Sequence, residues 1–122
     1  MILGIGNDIV EIARIEKAVQ NENFKKRVYT LREIEIVEKK GAGKFSSYAG
    51  RFSAKEAISK ALGTGVRDFA LVDIEIINDE LGKPVVNFKN SLKEEMKNKQ
   101  VDISISHSKE FATAVAIITE RS

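Results

Sequence analysis

Apolar positions recur at two different periods along the chain, and each period predicts one kind of element. Over residues 45–62 they recur every three or four positions, which is typical of an amphipathic helix, and the Gly-Thr-Gly after Leu62 favours its end. From Val101 to Ser106 apolar and polar residues alternate, as in a strand with one buried face. The pattern therefore predicts an α+β fold, in which a small, largely antiparallel sheet packs against helices that include one long central helix.

The same signals assign the rest of the chain. Two capping boxes, Thr30–Glu33 and Ser91–Glu94, predict helix starts. The last strand is apolar on both faces, which predicts a central strand or one at a subunit interface. The helix after the first box is expected to turn three apolar side chains inward: Leu31, Ile34 and Val37. The further predicted helices are 11–20, 21–28, 31–40 and 91–98. The further predicted strands are 2–10, 71–77, 84–88 and 111–119.

Composition narrows the class of protein. With 122 residues, 43% of them hydrophobic, the chain is expected to form one globular domain over residues 1–122. The absence of cysteine excludes disulfides and thiolate metal sites, and the single histidine, His107, excludes a multi-histidine metal site within one chain. No apolar run reaches the roughly 20 residues of a membrane helix, and the first residues lack the features of a signal peptide, so a cytoplasmic location is expected.

Charge bears on the choice of partner. The net charge of +2 is too small to argue for nucleic acid. It is unevenly distributed, however, because residues 14–32 hold six Lys or Arg against two Glu. A basic face of this kind could dock an acidic partner, and the alternative is an ordinary solvated surface.

Candidate chemistry lies on the long helix and on the first strand. Glu56, Ser59, Lys60 and Gly63 share one face of the helix, so a carboxylate, a hydroxyl and a cation lie beside a glycine turn. Such a set suits a hard metal ion that shares a phosphate ligand, and the alternative is a solvated face with a Glu56–Lys60 pair. Asp8 interrupts an apolar strand, where a carboxylate requires a partner or metal unless it caps the next helix.

Four motifs taken together resemble holo-[acyl-carrier-protein] synthase, a family of small bacterial 4′-phosphopantetheinyl transferases. They are Gly4-Ile5-Gly6-Asn7-Asp8-Ile9-Val10-Glu11 with Arg14, Gly50-Arg51-Phe52-Ser53-Ala54-Lys55-Glu56-Ala57 through Gly65, Gly82-Lys83-Pro84, and Ser104-Ile105-Ser106-His107-Ser108. The resemblance covers essentially the whole chain and implies the 4′-phosphopantetheinyl transferase fold. It implies transfer of the 4′-phosphopantetheine arm of coenzyme A to a serine of apo-acyl carrier protein in fatty acid synthesis, with release of adenosine 3′,5′-bisphosphate.

The resemblance also implies roles for individual residues. Asp8 and Glu56 would hold Mg²⁺, and Lys60 would meet the pyrophosphate, which makes these three the expected catalytic residues. The family is similar to a trimer with its sites at subunit interfaces, so we expect a homotrimer. The implied coenzyme A contacts are Arg51, Ser59, Lys60, Gly63, Thr64, Gly65, Pro84, His107 and Ser108. The implied carrier-protein docking residues are Arg14, Lys17, Phe24, Lys25 and Arg27.

The residues leave several alternatives open. The base that takes the serine proton could be a metal-linked water, which we favour, or Glu56, or an outer carboxylate.

A different class of protein, a non-catalytic nucleotide- or phosphate-binding module, would have the same site shape. An interaction protein that uses its basic N-terminal helices, for example on nucleic acid, is the third class, and the low net charge argues against it.

Overall fold

The computed structural model describes residues 1–63 and 68–121, and within them the α+β prediction is confirmed. Short 3₁₀ turns at Gly41–Gly43 and Leu71–Asp73 precede α4 and β2. No helix among these residues is long and apolar enough to cross a membrane. In chain order the elements are β1 (Ile2–Glu11), α1 (Ile12–Ala18), α2 (Glu22–Val28), α3 (Leu31–Glu38), α4 (Lys44–Leu62), β2 (Ile74–Asn78), β3 (Pro84–Phe88), α5 (Asn90–Glu95), β4 (Lys99–His107) and β5 (Phe111–Glu120).

The strands form two antiparallel sheets. β5 lies between β1 and β4 in a three-stranded sheet, as its two apolar faces predicted, and β2 pairs with β3 in a separate hairpin. Ala114 of β5 is opposite Asp8 on one side and Ile105 on the other, so the register brings these three positions into one row across the sheet.

Small residues allow α4 to lie directly on this sheet. A Cβ atom added at Gly6 would lie 2.0 Å from the Ala57 carbonyl oxygen, and one added at Gly4 would lie 1.9 Å from that of Ala61. No side chain fits in that space, so both positions require glycine. The alanines of β5 and α4 fill the same interface. The neighbouring face of α4, which carries Glu56 and Lys60, therefore lies alongside β1.

A buried ion pair connects α4 to its other neighbours. The side chains of Glu33 on α3 and Lys55 on α4 are fully buried, and their charged atoms lie 2.7 Å apart. Lys55 also donates to the Val28 carbonyl, and Glu33 accepts from the Ile76 backbone N–H at 2.9 Å. One pair therefore joins α2, α3, α4 and the free edge of β2.

This pair explains why the expectation for Leu31 is wrong. The Thr30–Glu33 capping box forms as predicted, but Leu31 is 81% exposed. Glu33 faces inward, because Lys55 and the Ile76 N–H hold its carboxylate there. Hydrophobic periodicity does not detect a buried carboxylate with partners from other elements.

Three other local predictions are also wrong. The Ser91 capping box does not form: α5 begins at Asn90, two residues before the start that a Ser91 cap would give, and the Asn90 side chain anchors this start by donating to Asp73 at 2.7 Å. The strand predicted from Leu71 begins only at Ile74, after a 3₁₀ turn. The helix predicted from Glu11 begins at Ile12, because Glu11 is its N-cap residue; Asp8 lies within β1, so the alternative that it caps this helix is not realised.

Candidate active site

Asp8 and Lys60 meet where β1 crosses the last turns of α4. The Lys60 Nζ atom lies 3.1 Å from Asp8 Oδ1 and 3.0 Å from the Asn7 carbonyl oxygen. The Asp8 side chain is mostly buried, whereas that of Lys60 is about half exposed. Lys60 therefore pairs across elements with Asp8, which differs from the Glu56–Lys60 surface pair considered as an alternative.

Glu56 lies one helical turn before Lys60 and close enough to Asp8 to be affected by its negative charge. Burial raises the pKa of the Glu56 carboxyl, the charge of Asp8 raises it further, and Lys60 opposes both effects. Two carboxylates from separate elements are thus close enough to repel each other. The structure brings together the three residues expected to be catalytic.

The Asp8–Glu56 pair has the chemistry of a hard-cation site. Magnesium binds oxygen ligands, often only one or two protein carboxylates, with water and phosphate oxygens filling the other positions. Within residues 1–63 and 68–121 no group of three or more His, Cys, Asp or Glu could hold a metal ion. A cation held by Asp8 and Glu56 would relieve their repulsion and would take its other ligands from water or substrate.

A cavity of about 390 Å³ opens beside the two carboxylates. Asp8, Glu56, Arg14 and Phe24 line it together with Phe52, whose ring centroid is 6.0 Å from that of Phe24. Sequence reasoning assigned no role to Phe52. Its position four residues before Glu56, and so on the same helix face, is the signal that could have indicated one.

Several of the residues expected to contact coenzyme A lie at the end of α4. Ser59 donates its hydroxyl to the Lys55 carbonyl at 2.9 Å, inside its own helix. Gly63 ends the helix with φ of 68°, a conformation that favours glycine. Thr64 and Gly65 lie outside the described residues.

Arg51, Pro84 and His107 meet in a second cavity of about 580 Å³. The Arg51 side chain is held by three hydrogen bonds, to the Ile76 carbonyl at 3.0 Å, to Ser47 Oγ at 2.6 Å and to Asn78 Oδ1 at 2.7 Å. Its burial lowers the pKa of the guanidinium, although Glu33 acts in the opposite direction. Sequence reasoning missed Ser47 and Asn78, and only the spacing of four between Ser47 and Arg51 pointed to the first.

Ser108 occupies the turn between β4 and β5. Its backbone N–H donates to the Phe111 carbonyl at 2.8 Å, and its hydroxyl accepts from the Phe111 N–H at 3.2 Å. It does not line the cavity that contains His107. Among the described residues, that cavity shares no lining residue with the one beside Asp8 and Glu56.

The residues of the expected docking face differ in their surroundings. Arg14, Lys17 and Arg27 are exposed, and Arg14 lines the cavity beside Asp8. The Lys25 Nζ atom lies 3.5 Å from Glu38 Oε2. Phe24 is half-buried against Phe52. Arg14 is thus the basic residue of this set that reaches the carboxylates' cavity.

Comparison with known proteins decides the family. The model of the 4′-phosphopantetheinyl transferase superfamily matches residues 4–116. The chain is 57% identical over 122 residues to the holo-[acyl-carrier-protein] synthase of Fusobacterium nucleatum, covering 97% of this chain and 99% of that protein. The corresponding protein of Clostridium beijerinckii is 51% identical over 121 residues, covering 97% and 98%.

The chain belongs to the 4′-phosphopantetheinyl transferase superfamily. The resemblance seen in the sequence and the prediction of a phosphopantetheinyl transferase enzyme are therefore confirmed.

Solved structures of superfamily members confirm the fold as well. A holo-(acyl-carrier-protein) synthase from Bacillus anthracis, in complex with CoA (3′,5′-ADP), is 43% identical with a TM-score of 0.82, and the match covers 100% of this chain and 99% of that one. The enzyme from Neisseria meningitidis is 32% identical with a TM-score of 0.88, covering 98% and 100%. The phosphopantetheinyl transferase fold predicted from the sequence is thus confirmed over essentially the whole chain.

Proposed function

We propose that this protein transfers the 4′-phosphopantetheine arm of coenzyme A to a serine of apo-acyl carrier protein, with Mg²⁺, in fatty acid biosynthesis. The products are holo-acyl carrier protein and adenosine 3′,5′-bisphosphate. The observation that carries the proposal is the convergence of Asp8, Glu56 and Lys60, of which the two carboxylates line one cavity. The whole chain, residues 1–122, is proposed as one domain that works in the cytoplasm.

The chemistry follows from this arrangement. The serine oxygen forms a bond to the pantetheine-side phosphorus of the pyrophosphate, and the bond from that phosphorus to the bridging oxygen breaks. The bridging oxygen leaves with adenosine 3′,5′-bisphosphate, and the serine proton passes through a base to solvent. Positioning and electrostatic stabilisation provide most of the catalysis in phosphoryl transfer. Asp8 and Glu56 would hold Mg²⁺, which supplies Lewis-acid stabilisation of phosphate oxygens. Lys60, with its ammonium partly exposed beside Asp8, adds a cation for the pyrophosphate.

The nucleotide end of coenzyme A is assigned to the second cavity. Arg51 and His107 supply nitrogen groups there, and Pro84 supplies part of the wall. Because this cavity and the one beside Asp8 share no lining residue within the described parts of the chain, we propose that one coenzyme A spans two subunits. Ser59, Gly63, Thr64, Gly65 and Ser108 stay as further predicted contacts.

An exposed apolar face supports the proposed homotrimer. On the side of the three-stranded sheet away from α4, Ile5 and Ile9 are each 65% exposed, and Phe111 and Val115 are 41% and 36% exposed. These side chains alternate with the inward positions of β1 and β5 and so lie on one face. A contiguous face of this kind is typical of a subunit interface.

The test of the proposed function is the intact mass of apo-acyl carrier protein after incubation with coenzyme A, Mg²⁺ and the protein. We expect the carrier to gain one phosphopantetheine arm. Asp8→Ala and Glu56→Ala should each nearly abolish transfer while the protein stays folded, because each removes one of only two expected protein ligands of the metal. Glu35→Ala, on an exposed pair with Lys39, is the matched control and should keep full activity.

Near wild-type turnover by either folded carboxylate variant would remove the metal assignment. Binding of coenzyme A and Mg²⁺ without any transfer would instead favour a non-catalytic binding module.

A further inference from the structure

The backbone carbonyl of Asp8 accepts hydrogen bonds from two side-chain hydroxyls. Ser53 Oγ on α4 donates to it at 3.0 Å, and Thr113 Oγ1 on β5 donates to it at 2.7 Å. Neither hydroxyl belongs to the strand that carries Asp8. Two different elements therefore hold the same peptide group of β1 in place.

Ser53 connects the two carboxylates most directly. It is fully buried and lies three residues before Glu56, about one turn of α4 away. Its hydrogen bond thus joins the helix that carries Glu56 to the residue that provides the other carboxylate. The Lys60 bond to the Asn7 carbonyl, at 3.0 Å, joins the same helix to the neighbouring peptide on the other side of Glu56.

Thr113 adds a second, independent connection from the sheet. It is paired with Ile9 in the β1–β5 register, and its hydroxyl reaches back to the Asp8 carbonyl. The three bonds anchor the Asn7–Asp8 segment to α4 and β5 at the point where Asp8 projects toward Glu56.

We propose that Ser53 and Thr113 are positioning residues that fix the separation of Asp8 and Glu56 for the divalent cation. The inference rests on the proposed function, because it presumes that these two carboxylates hold the metal. Magnesium demands near-ideal octahedral geometry, so a small increase in the freedom of one ligand weakens binding. Groups that orient metal ligands typically contribute ten- to a hundredfold to metal affinity or activity.

The experiment uses Ser53→Ala, Thr113→Val and the double variant, each as the full chain. Mn²⁺ serves as the probe for direct binding by electron paramagnetic resonance, and the Mg²⁺ dependence of transfer is measured in parallel. We expect the double variant to bind Mn²⁺ about tenfold more weakly and to need about tenfold more Mg²⁺ for half-maximal rate. At saturating Mg²⁺ its kcat should return to near the wild-type value, with KM for the carrier protein unchanged.

Two further variants separate positioning from general stability. Thr119→Val deletes a hydroxyl from the same strand and the same face as Thr113, and Thr119 makes no side-chain hydrogen bond within residues 1–63 and 68–121. It should bind Mn²⁺ like the wild type. Thr113→Ser keeps the donating hydroxyl, so it should restore the affinity that Thr113→Val loses. A variant that only loses stability would have a lower midpoint of urea unfolding, but its Mn²⁺ affinity would not follow the presence or absence of the Thr113 hydroxyl.

The outcomes distinguish the inference from the function on which it rests. Wild-type Mn²⁺ affinity in a folded double variant would overturn the positioning role and leave the proposed function in place. Equal weakening by Thr119→Val and Thr113→Val, or no rescue by Thr113→Ser, would also overturn it. Failure of the wild-type protein to bind Mn²⁺ or Mg²⁺ would overturn both.

Discussion

At the residue scale, the candidate site contains a carboxyl group in an unfavourable environment. Burial and the nearby Asp8 charge raise the pKa of Glu56, which means that folding costs free energy whenever Glu56 is ionised. Groups arranged in this way are common in active sites, because the function needs a charge that the fold alone would disfavour.

This environment predicts that Glu56→Gln is more stable than the wild type in the absence of metal. When folding raises the pKa of an acid, the ionised acid destabilises the folded state at any pH above the folded-state pKa. This destabilisation disappears below the pKa of the unfolded chain, which is about 4.3 for Glu. In urea unfolding with a chelator present, Glu56→Gln should therefore have a higher free energy of unfolding than the wild type at neutral pH. The difference between the two proteins should be smaller near pH 4. A Glu56→Gln protein that is less stable than the wild type at neutral pH would contradict the pKa assignment, and Glu35→Gln serves as the exposed control.

At the element scale, α4 is the centre of the molecule. One face lies on the sheet through the close contacts at Gly4 and Gly6, another carries Glu56 and Lys60, and a third is fixed by the buried Lys55–Glu33 pair. The rotation of this helix about its axis decides whether Glu56 faces Asp8. The buried pair is one of the contacts that set that rotation.

Lys55→Met should destabilise the protein strongly. Removal of one partner leaves the fully buried Glu33 without its counter-ion, a change that typically costs about 3–5 kcal/mol. Lys39→Met is the matched control, because it breaks an exposed pair with Glu35 and should change the free energy of unfolding by less than about 0.5 kcal/mol. Equal effects of the two substitutions in urea unfolding would show that the buried pair does not stabilise the fold.

Arg14 on α1 provides the test of carrier-protein docking. It is exposed and lines the cavity beside Asp8 and Glu56, so Arg14→Glu should raise KM for the carrier protein and leave KM for coenzyme A little changed. Lys17→Glu should cost less, because Lys17 does not line this cavity. Added salt should weaken the wild type more than Arg14→Glu. An effect of Arg14→Glu on coenzyme A binding would place Arg14 in the nucleotide site.

Periodicity and turn chemistry predicted most elements because these signals are local. The long helix, the alternating strand β4 and the Asn21 start of α2 all follow from neighbours in sequence. Leu31 and Ser91 were misjudged because their surroundings depend on Lys55 and Asp73, which are distant in sequence. The same limit applies to the site.

For the candidate site, the sequence motifs alone singled out Asp8, Glu56 and Lys60, which the structure brings together. The connections that hold these residues could not be predicted in this way. Ser53 and Thr113 are separated by 60 positions in sequence, and only the packing of α4 and β5 against β1 brings both to the Asp8 carbonyl. Likewise, the deep burial of Arg51 depends on the β2–β3 hairpin, whose Ile76 carbonyl it contacts.

At the scale of the whole molecule, the apolar outer face of the sheet makes a direct prediction about assembly. Ile5→Glu places a charge on this face and should convert the proposed trimer into monomers in sedimentation analysis, with loss of transfer if coenzyme A spans two subunits. Leu81→Glu is the control, since Leu81 is 94% exposed on the β2–β3 turn and should leave assembly unchanged. A wild-type protein that sediments only as a monomer at micromolar concentration would refute the trimer.

We propose above all that the Asp8–Glu56–Lys60 site transfers phosphopantetheine to a carrier protein. The most direct measurement follows the intact mass of apo-acyl carrier protein and the release of adenosine 3′,5′-bisphosphate in one reaction with Mg²⁺. We predict one arm gained per nucleotide released with the wild type, and neither product above background with Glu56→Ala purified in the same way. Unchanged carrier mass with the folded wild-type protein, or equal transfer by Glu56→Ala, would contradict the claim.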